Sequence, residues 1–242
     1  MIASCGGYGT SKLVVVSGFD SESVQAEVVF TPDSRSFFEG CTTVGDRRLV
    51  VLTWREKTIF EFELPSFKLV RKVSYPHDGW GITFDESRNL LWASDGSSRL
   101  HKLDPTTLKV VGHCEVHLSH DGKESVPVKY MNELEMVNGR ILANIYMETS
   151  RIRESPNYIV SIDPEDCRVD RVIPLFGLGT EYGPGNVING IATGSRPDEI
   201  FVTGKMWKSI HAVRLGPLAS SIDPLWRRHN ITDFLKINLG FR

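Results

Sequence analysis

Leu103-Asp104-Pro105-Thr106-Thr107-Leu108-Lys109-Val110 is an apolar strand end, a turn set by Asp and Pro, and a basic residue that opens an alternating run. Glu63-Leu64-Pro65-Ser66-Phe67-Lys68-Leu69-Val70 repeats that grammar, as does Ile162-Asp163-Pro164-Glu165-Asp166-Cys167-Arg168-Val169. A weaker copy is Phe19-Asp20-Ser21-Glu22-Ser23-Val24, and Val213-Arg214-Leu215 resembles the strand end of a fifth unit. From Asp20 to Leu64, Asp104, Asp163 and Arg214 the steps are 44, 40, 59 and 51 residues. Blades of a β-propeller run about 40–50 residues with insertions in their loops. Five blades are therefore expected; a β-sandwich built from similar strands does not predict a repeated strand–turn–strand unit.

The rest of the chain agrees. Its apolar runs are short: Leu13–Val16, Leu49–Leu52, Ile59–Leu64, Leu69–Val73, Leu90–Trp92, Ile141–Ile145, Tyr158–Ile162 and Ile200–Val202. They are rich in β-branched and aromatic residues and are punctuated by Gly, Asp, Asn or Pro, an all-β pattern. The reading is a single propeller domain over residues 1–222 and a C-terminal tail over 223–242, in which Trp226, Phe234 and Phe241 suggest a short amphipathic helix. Ser119–Lys129 and Phe176–Asn186 read as loops; the second is Gly-rich, but no helix follows it to make a phosphate cradle.

Composition narrows the function classes. The 28 Lys+Arg balance 30 Asp+Glu, so no basic field points to nucleic acid or a membrane surface. No apolar run is long enough for a transmembrane helix, and Met1–Cys5 carries no charged, then apolar, leader pattern. Four scattered cysteines (Cys5, Cys41, Cys114, Cys167) form no CxxC pair. They read as small buried hydrophobes, with bridges between them left open. The seven histidines form no closely paired ligand set in sequence, so no metal ligand is expected; His117 and His120, on one polar loop, read as solvated. Asn230-Ile231-Thr232 matches a glycosylation acceptor, a triplet that arises often by chance.

Polar and aromatic residues at expected strand ends are the site candidates: Glu39, Trp54, Trp80, Asn132, Lys205 and Trp207. Singly, each has a plainer role: a solvated or ion-paired Glu, an Asn satisfying backbone groups, a surface Lys, tryptophans in the core. Trp92, Trp207 and Trp226 read as packing or rim residues.

Seven ordered segments bear a further resemblance. Phe37-Phe38-Glu39-Gly40, Leu52-Thr53-Trp54-Arg55-Glu56, Gly79-Trp80-Gly81, Asn132-Glu133-Leu134-Glu135, Ala143-Asn144-Ile145-Tyr146, Asn189-Gly190-Ile191-Ala192 and Phe201-Val202-Thr203-Gly204-Lys205-Met206-Trp207 resemble, in order and spacing, motifs of the plant- and bacterial-type glutaminyl cyclases (glutamine cyclotransferases). The resemblance runs from about Tyr8 to Leu215. It implies a five-bladed propeller and an acyltransferase that closes N-terminal glutamine of peptides or proteins into pyroglutamate with release of ammonia.

Residue by residue, it implies a catalytic carboxylate at Glu39, an active-site amide at Asn132 and a lysine at Lys205. Pocket aromatics fall on Phe37, Trp54 and Trp80, and Tyr146 stands where the family has a tryptophan. No cofactor is required, although a structural cation such as calcium in the channel is compatible with the family. The expected partner is a peptide or protein substrate with N-terminal Gln, and the expected state is a monomer; the compartment is left open. Two departures stand out. The family's upstream FTQGL segment has no counterpart, so its N-terminal strands are expected to be missing. Phe38 replaces a glycine, which is expected to crowd Glu39. They motivate an alternative reading, a catalytically weak propeller that binds a peptide or protein. A propeller metal hydrolase is a third.

Overall fold

Strand β5 (Arg48–Thr53) shows why these runs become sheets. Leu49, Val50, Val51 and Leu52 are all fully buried. Successive side chains on a strand point to opposite faces. Leu49 and Val51 join Leu13, Phe38, Phe60 and Phe62 in one core, while Val50 and Leu52 join Ile59, Tyr75, Ile82, Leu91, Ala93, Leu103 and Leu108 in another. The sheet is covered on both faces, so an unbroken apolar run rather than an alternating one is required. Each such side chain contributes roughly 1.5–3 kcal/mol by leaving water.

The computed structural model describes residues 1–18, 24–119, 125–146, 157–175, 178 and 186–216. The weak turn copy at Asp20, the core of the 119–129 and 176–186 loops, His120, Asn230 and the tail 223–242 lie outside the described residues.

The chain is all-β, a series of meandering antiparallel sheets that makes a five-bladed β-propeller. The first sheet holds β1 (Ile2–Cys5), β2 (Lys12–Ser17) and β3 (Gln25–Phe30). The second holds β4 (Phe38–Val44), β5, β6 (Thr58–Glu63) and β7 (Lys68–Ser74). The third runs β8 (Ile82–Asp85), β9 (Leu90–Ser94), β10 (Arg99–Leu103) and β11 (Val110–Glu115). A short ribbon pairs β12 (His117–Leu118) with β13 (Val126–Pro127). The fourth sheet holds β14 (Met131–Val137), β15 (Arg140–Ile145), β16 (Tyr158–Ile162) and β17 (Val169–Pro174); the fifth holds β18 (Ile188–Thr193), β19 (Glu199–Gly204) and β20 (His211–Arg214). All eight apolar runs read from the sequence fall on strands, save that Leu64 at the end of one lies in the turn after β6. Among the described residues no helix is long and apolar enough to cross a membrane.

The repeated turns are built alike. The backbone N–H groups of Thr106 and Thr107 donate to Asp104 Oδ1 at 3.2 and 2.7 Å, and Leu108 N donates to Asp104 O at 2.8 Å. Glu165 N donates to Asp163 Oδ1 at 2.9 Å, and Cys167 N to Asp163 O at 2.8 Å. Each turn closes on a left-handed residue at the same place: Phe67 (φ 52°), Leu108 (φ 59°) and Cys167 (φ 56°). None is glycine, so the hydrogen bonds and flanking strands hold a conformation that costs L-residues about 1 kcal/mol or more.

By backbone contacts the chain forms two compact units, each described by itself: Met1–Asp95 with His101–His113, and Gly96–Leu100 with the described residues from Cys114 onward. In the first, Glu61 is almost fully buried between two arginines: Arg48 Nε donates to its Oε1 at 2.6 Å and Arg71 Nε to its Oε2. Their guanidinium groups donate onward to Pro105 O and Thr106 O. The turn of the third sheet is thereby tied to the second. The second unit packs Leu142, Ile159, Ile188, Ile191, Ile200 and Val202 into one core.

That unit also corrects the reading of the cysteines. Cys114, on β11, and Cys167, in the β16–β17 turn, form a disulfide with Cα atoms 6.2 Å apart and a sequence separation of 53. The left-handed turn residue is thus also a cross-link. Closing a loop of that length stabilises by ~4 kcal/mol in the chain-entropy view, and the bond needs oxidising surroundings to persist. Cys5 and Cys41 take no part in a disulfide.

Candidate active site

The site residues occupy two repeated positions. In the second sheet Phe38 pairs with Thr53 and Cys41 with Val51: three steps along β4 face two along β5. Met131 and Leu134 pair with Ile145 and Ala143, and Ile188 and Ile191 pair with Gly204 and Val202, with the same single extra residue. One bulge therefore recurs in β4, β14 and β18. Bulges kink a strand and re-aim the side chains they carry. They hold Glu39-Gly40, Asn132-Glu133 and Asn189-Gly190.

The second position follows the next strand. Trp54 N donates to Phe37 O at 2.9 Å, Tyr146 N to Tyr130 O at 2.7 Å, and Lys205 N to Val187 O at 2.9 Å. These are one bond repeated three times, just beyond β5, β15 and β19. Glu39 and Asn132 thus stand in equivalent places, as do Trp54, Tyr146 and Lys205.

In the first unit Glu39 is half-buried, and Ser4 Oγ donates to its backbone carbonyl. Gly40 N donates to Trp80 O at 2.7 Å, and a Cβ on Gly40 would stand 2.6 Å from that oxygen and 2.7 Å from Gly81 Cα. Only glycine permits this approach, which brings the strand bearing Glu39 against the backbone of Trp80. Trp80 N in turn donates to Ser94 O at 3.1 Å, and the Oγ of buried Ser94 accepts from Gly81 N at 2.8 Å. Phe37 and Trp54 meet with ring centroids 5.4 Å apart, and Tyr8 stands edge-on to Phe37 at 5.2 Å. Glu56 fixes this aromatic group from its rim, accepting from Phe37 N at 3.1 Å and from Tyr8 Oη at 2.9 Å; the latter bond raises the Tyr8 hydroxyl pKa. Arg55 lies over the Trp54 ring, 3.9 Å from its centroid. The structure therefore brings Phe37 and Trp54 together, and the backbones of Gly40 and Trp80.

Phe38 does not behave as expected from its place beside Glu39. It is fully buried in the core with Leu13, Leu49 and Val51, edge-on to Phe60 at 5.0 Å. The core absorbs the bulk that replaces a glycine.

In the second unit Asn132 is buried, Tyr146 half-buried and Lys205 exposed. Two amides not singled out from the sequence hold the bulges in place. Asn144, fully buried, accepts from Glu133 N at 2.8 Å and donates to Ile188 O at 2.6 Å, linking the β14 bulge to the strand of the β18 bulge. Asn157 accepts from Ile188 N at 2.9 Å and donates to Leu178 O at 2.7 Å. Both polar groups of Ile188 are thereby satisfied, and Asn189 follows it. The buried Asn189 Oδ1 has no hydrogen-bond partner among the described residues. Glu135 accepts from Thr193 N at 2.8 Å, yet burial pushes its carboxyl pKa up to about 7. Trp207 donates from Nε1 to Asn186 O at 2.6 Å and packs on the core, and Trp92 is fully buried, as their reading as packing residues requires.

The first unit holds a half-buried carboxylate and a paired aromatic surface, and the second a cationic amine and buried amides; these are residue types that serve in proton transfer and oxyanion stabilisation. The sequence pattern of the glutamine cyclotransferase family matches residues 1–215. A glutaminyl-peptide cyclotransferase of Arabidopsis thaliana is 31% identical over 221 residues, 89% of this chain and 63% of that protein, so the chain spans less than two thirds of that relative's length. The crystal structure of a Myxococcus xanthus glutaminyl cyclase matches with a TM-score of 0.70 at 30% identity, covering 86% of this chain and 84% of that one.

Proposed function

We propose, from the premise that this chain belongs to the glutamine cyclotransferase family, that it converts N-terminal glutamine of peptides or proteins to pyroglutamate and releases ammonia. The substrate's α-amine attacks its own side-chain amide carbon. A C–N bond forms to close a five-membered ring, the C–NH2 bond breaks, and one proton moves from the attacking nitrogen to the leaving one. A free α-amine has a pKa near 7.7–8.0, so much of it must shed a proton before it can attack at neutral pH.

Glu39 is the shuttle: it takes the proton from the attacking amine and returns it to the departing nitrogen, because ammonia leaves far more readily than amide anion. Asn132 and Lys205 donate to the carbonyl oxygen as it gains charge. Asn189, whose Oδ1 is buried without a partner among the described residues, accepts from the substrate's amine or amide N–H. Phe37, Trp54, Trp80 and Tyr146 hold the glutamine side chain folded toward its own terminus, which converts part of the activation entropy into binding.

The observation that carries this reading is the repeat of one bulge and one following bond in three sheets, which puts Glu39, Asn132 and Asn189 in equivalent places, and Trp54, Tyr146 and Lys205 in another. The test is ammonia release from a short peptide with N-terminal glutamine, set against the same peptide acetylated at its α-amine. Release from the first alone, lost in Glu39→Gln, is expected. Equal release from both would indicate a plain amidase and contradict the proposal.

A further inference from the structure

In the first unit, outside the residues given roles above, His77, Asp95 and His101 come together. Each offers one ligand atom, and the three atoms lie within 4.8 Å of one another. From these positions we propose that His77, Asp95 and His101 bind one divalent transition cation of the zinc class. The proposal does not depend on cyclase activity.

The donor set fits. Two imidazoles and a carboxylate are first-choice ligands for zinc and its neighbours, and three protein ligands leave a position for water. His101 Nε2 lies 2.9 Å from Asp95 Oδ2. Ligands on one tetrahedral zinc ion, bonded at about 2.0–2.1 Å, stand roughly 3.4 Å apart, so this pair opens only slightly to admit the ion. The His77 ring lies on the His101 ring with centroids 3.7 Å apart and 14° between planes. His77 is half-buried, and rotation about its side-chain torsions carries a ring nitrogen the short way to the other two.

A simple His101–Asp95 hydrogen bond accounts for one buried imidazole beside a carboxylate. It does not account for a second imidazole laid on the first. A shared cation gives both rings a common partner.

Tyr75 points the same way. It is 1% exposed and stands edge-on to His77 at 5.5 Å, and its hydroxyl has no hydrogen-bond partner among the described residues. A water on the cation's open position would give this buried donor an acceptor. The consequence is local: His77 precedes Trp80 by three residues, Asp95 follows β9 and His101 lies on β10. The cation would pin the segment that leads into Trp80 to the two inner strands of the third sheet.

The test uses the full chain after treatment with chelator, titrated with zinc chloride by calorimetry and followed by thermal melting, with cobalt(II) absorption as a second readout. One zinc per chain is expected, with a melting temperature raised roughly 5–10 °C when free zinc is about 100 times Kd. His77→Ala is expected to weaken binding by more than the ~10–100-fold that follows loss of an outer-shell partner, while its metal-free form melts as the wild type does. Asp95→Asn, which preserves shape, gives the same weakening and serves if His77→Ala does not fold. Absence of saturable zinc uptake by the wild type would overturn the proposal, as would unchanged affinity in the folded variants, which would put the ion elsewhere.

Discussion

Strands β4 and β14 have one backbone and two chemistries. Both begin with the same three-against-two register step, and both are followed, after the next strand, by an aromatic residue whose N–H returns to the residue before the bulge. Yet β4 carries Glu39 beside a glycine that lets Trp80 approach, whereas β14 carries Asn132 beside Glu133, whose N–H is held by Asn144. The repeat fixes where a side chain stands; in the proposed reaction, the residue type at that place decides whether it moves a proton or donates a hydrogen bond.

The comparison is broken from one side by removing its donor half. Asn132→Ala is expected to lower kcat by ~10²–10³-fold, the loss that follows removal of one oxyanion donor. Steady-state ammonia release measures it, and a circular dichroism spectrum unchanged from wild type separates this from misfolding. Asn144→Ala should act on stability instead. It strands Glu133 N and Ile188 O, so a loss of ~2–4 kcal/mol is expected in urea unfolding.

A smaller effect sharpens the comparison within the second unit. Asn189→Ala is expected to raise KM or lower kcat by only ~10-fold, as for one neutral hydrogen bond to substrate. The least effect lies in pH dependence. Glu135, pushed up to about 7 by burial, holds a proton in the folded state that an ordinary carboxyl has released. Its contribution is full below the usual carboxylate range and is lost as pH rises through about 7. Melting temperatures between pH 5 and 8, taken as the working range, should therefore fall more in the wild type than in Glu135→Gln.

Much of the fold was legible because turn chemistry is local. Asp104 and Asp163 each cap their own turn, so at both places Asp-Pro followed by a basic residue announces the next strand. The bulges were not legible. A register step depends on which residues the partner strand offers, and nothing in Phe37-Phe38-Glu39-Gly40 states that one residue is supernumerary. The motif around Asn189 was visible, but its equivalence to Glu39 and Asn132 emerges only when the three ladders are aligned. Sequence distance also hid the Cys114–Cys167 bond and the stacked pair His77 and His101. The bulk of Phe38 was assigned to the neighbourhood of Glu39 although the strand's own alternation sends it to the core.

The most direct test makes the two bulges alike. Glu39→Asn gives β4 the amide that β14 carries, in the same backbone. Ammonia release from an N-terminal glutamine peptide should fall by at least ~10³-fold, within the range for loss of a general acid–base group, while the melting temperature stays near that of the wild type. Turnover within about tenfold of wild type from a folded Glu39→Asn protein, well short of that range, would contradict the assignment of the proton shuttle to Glu39 and the account built on it.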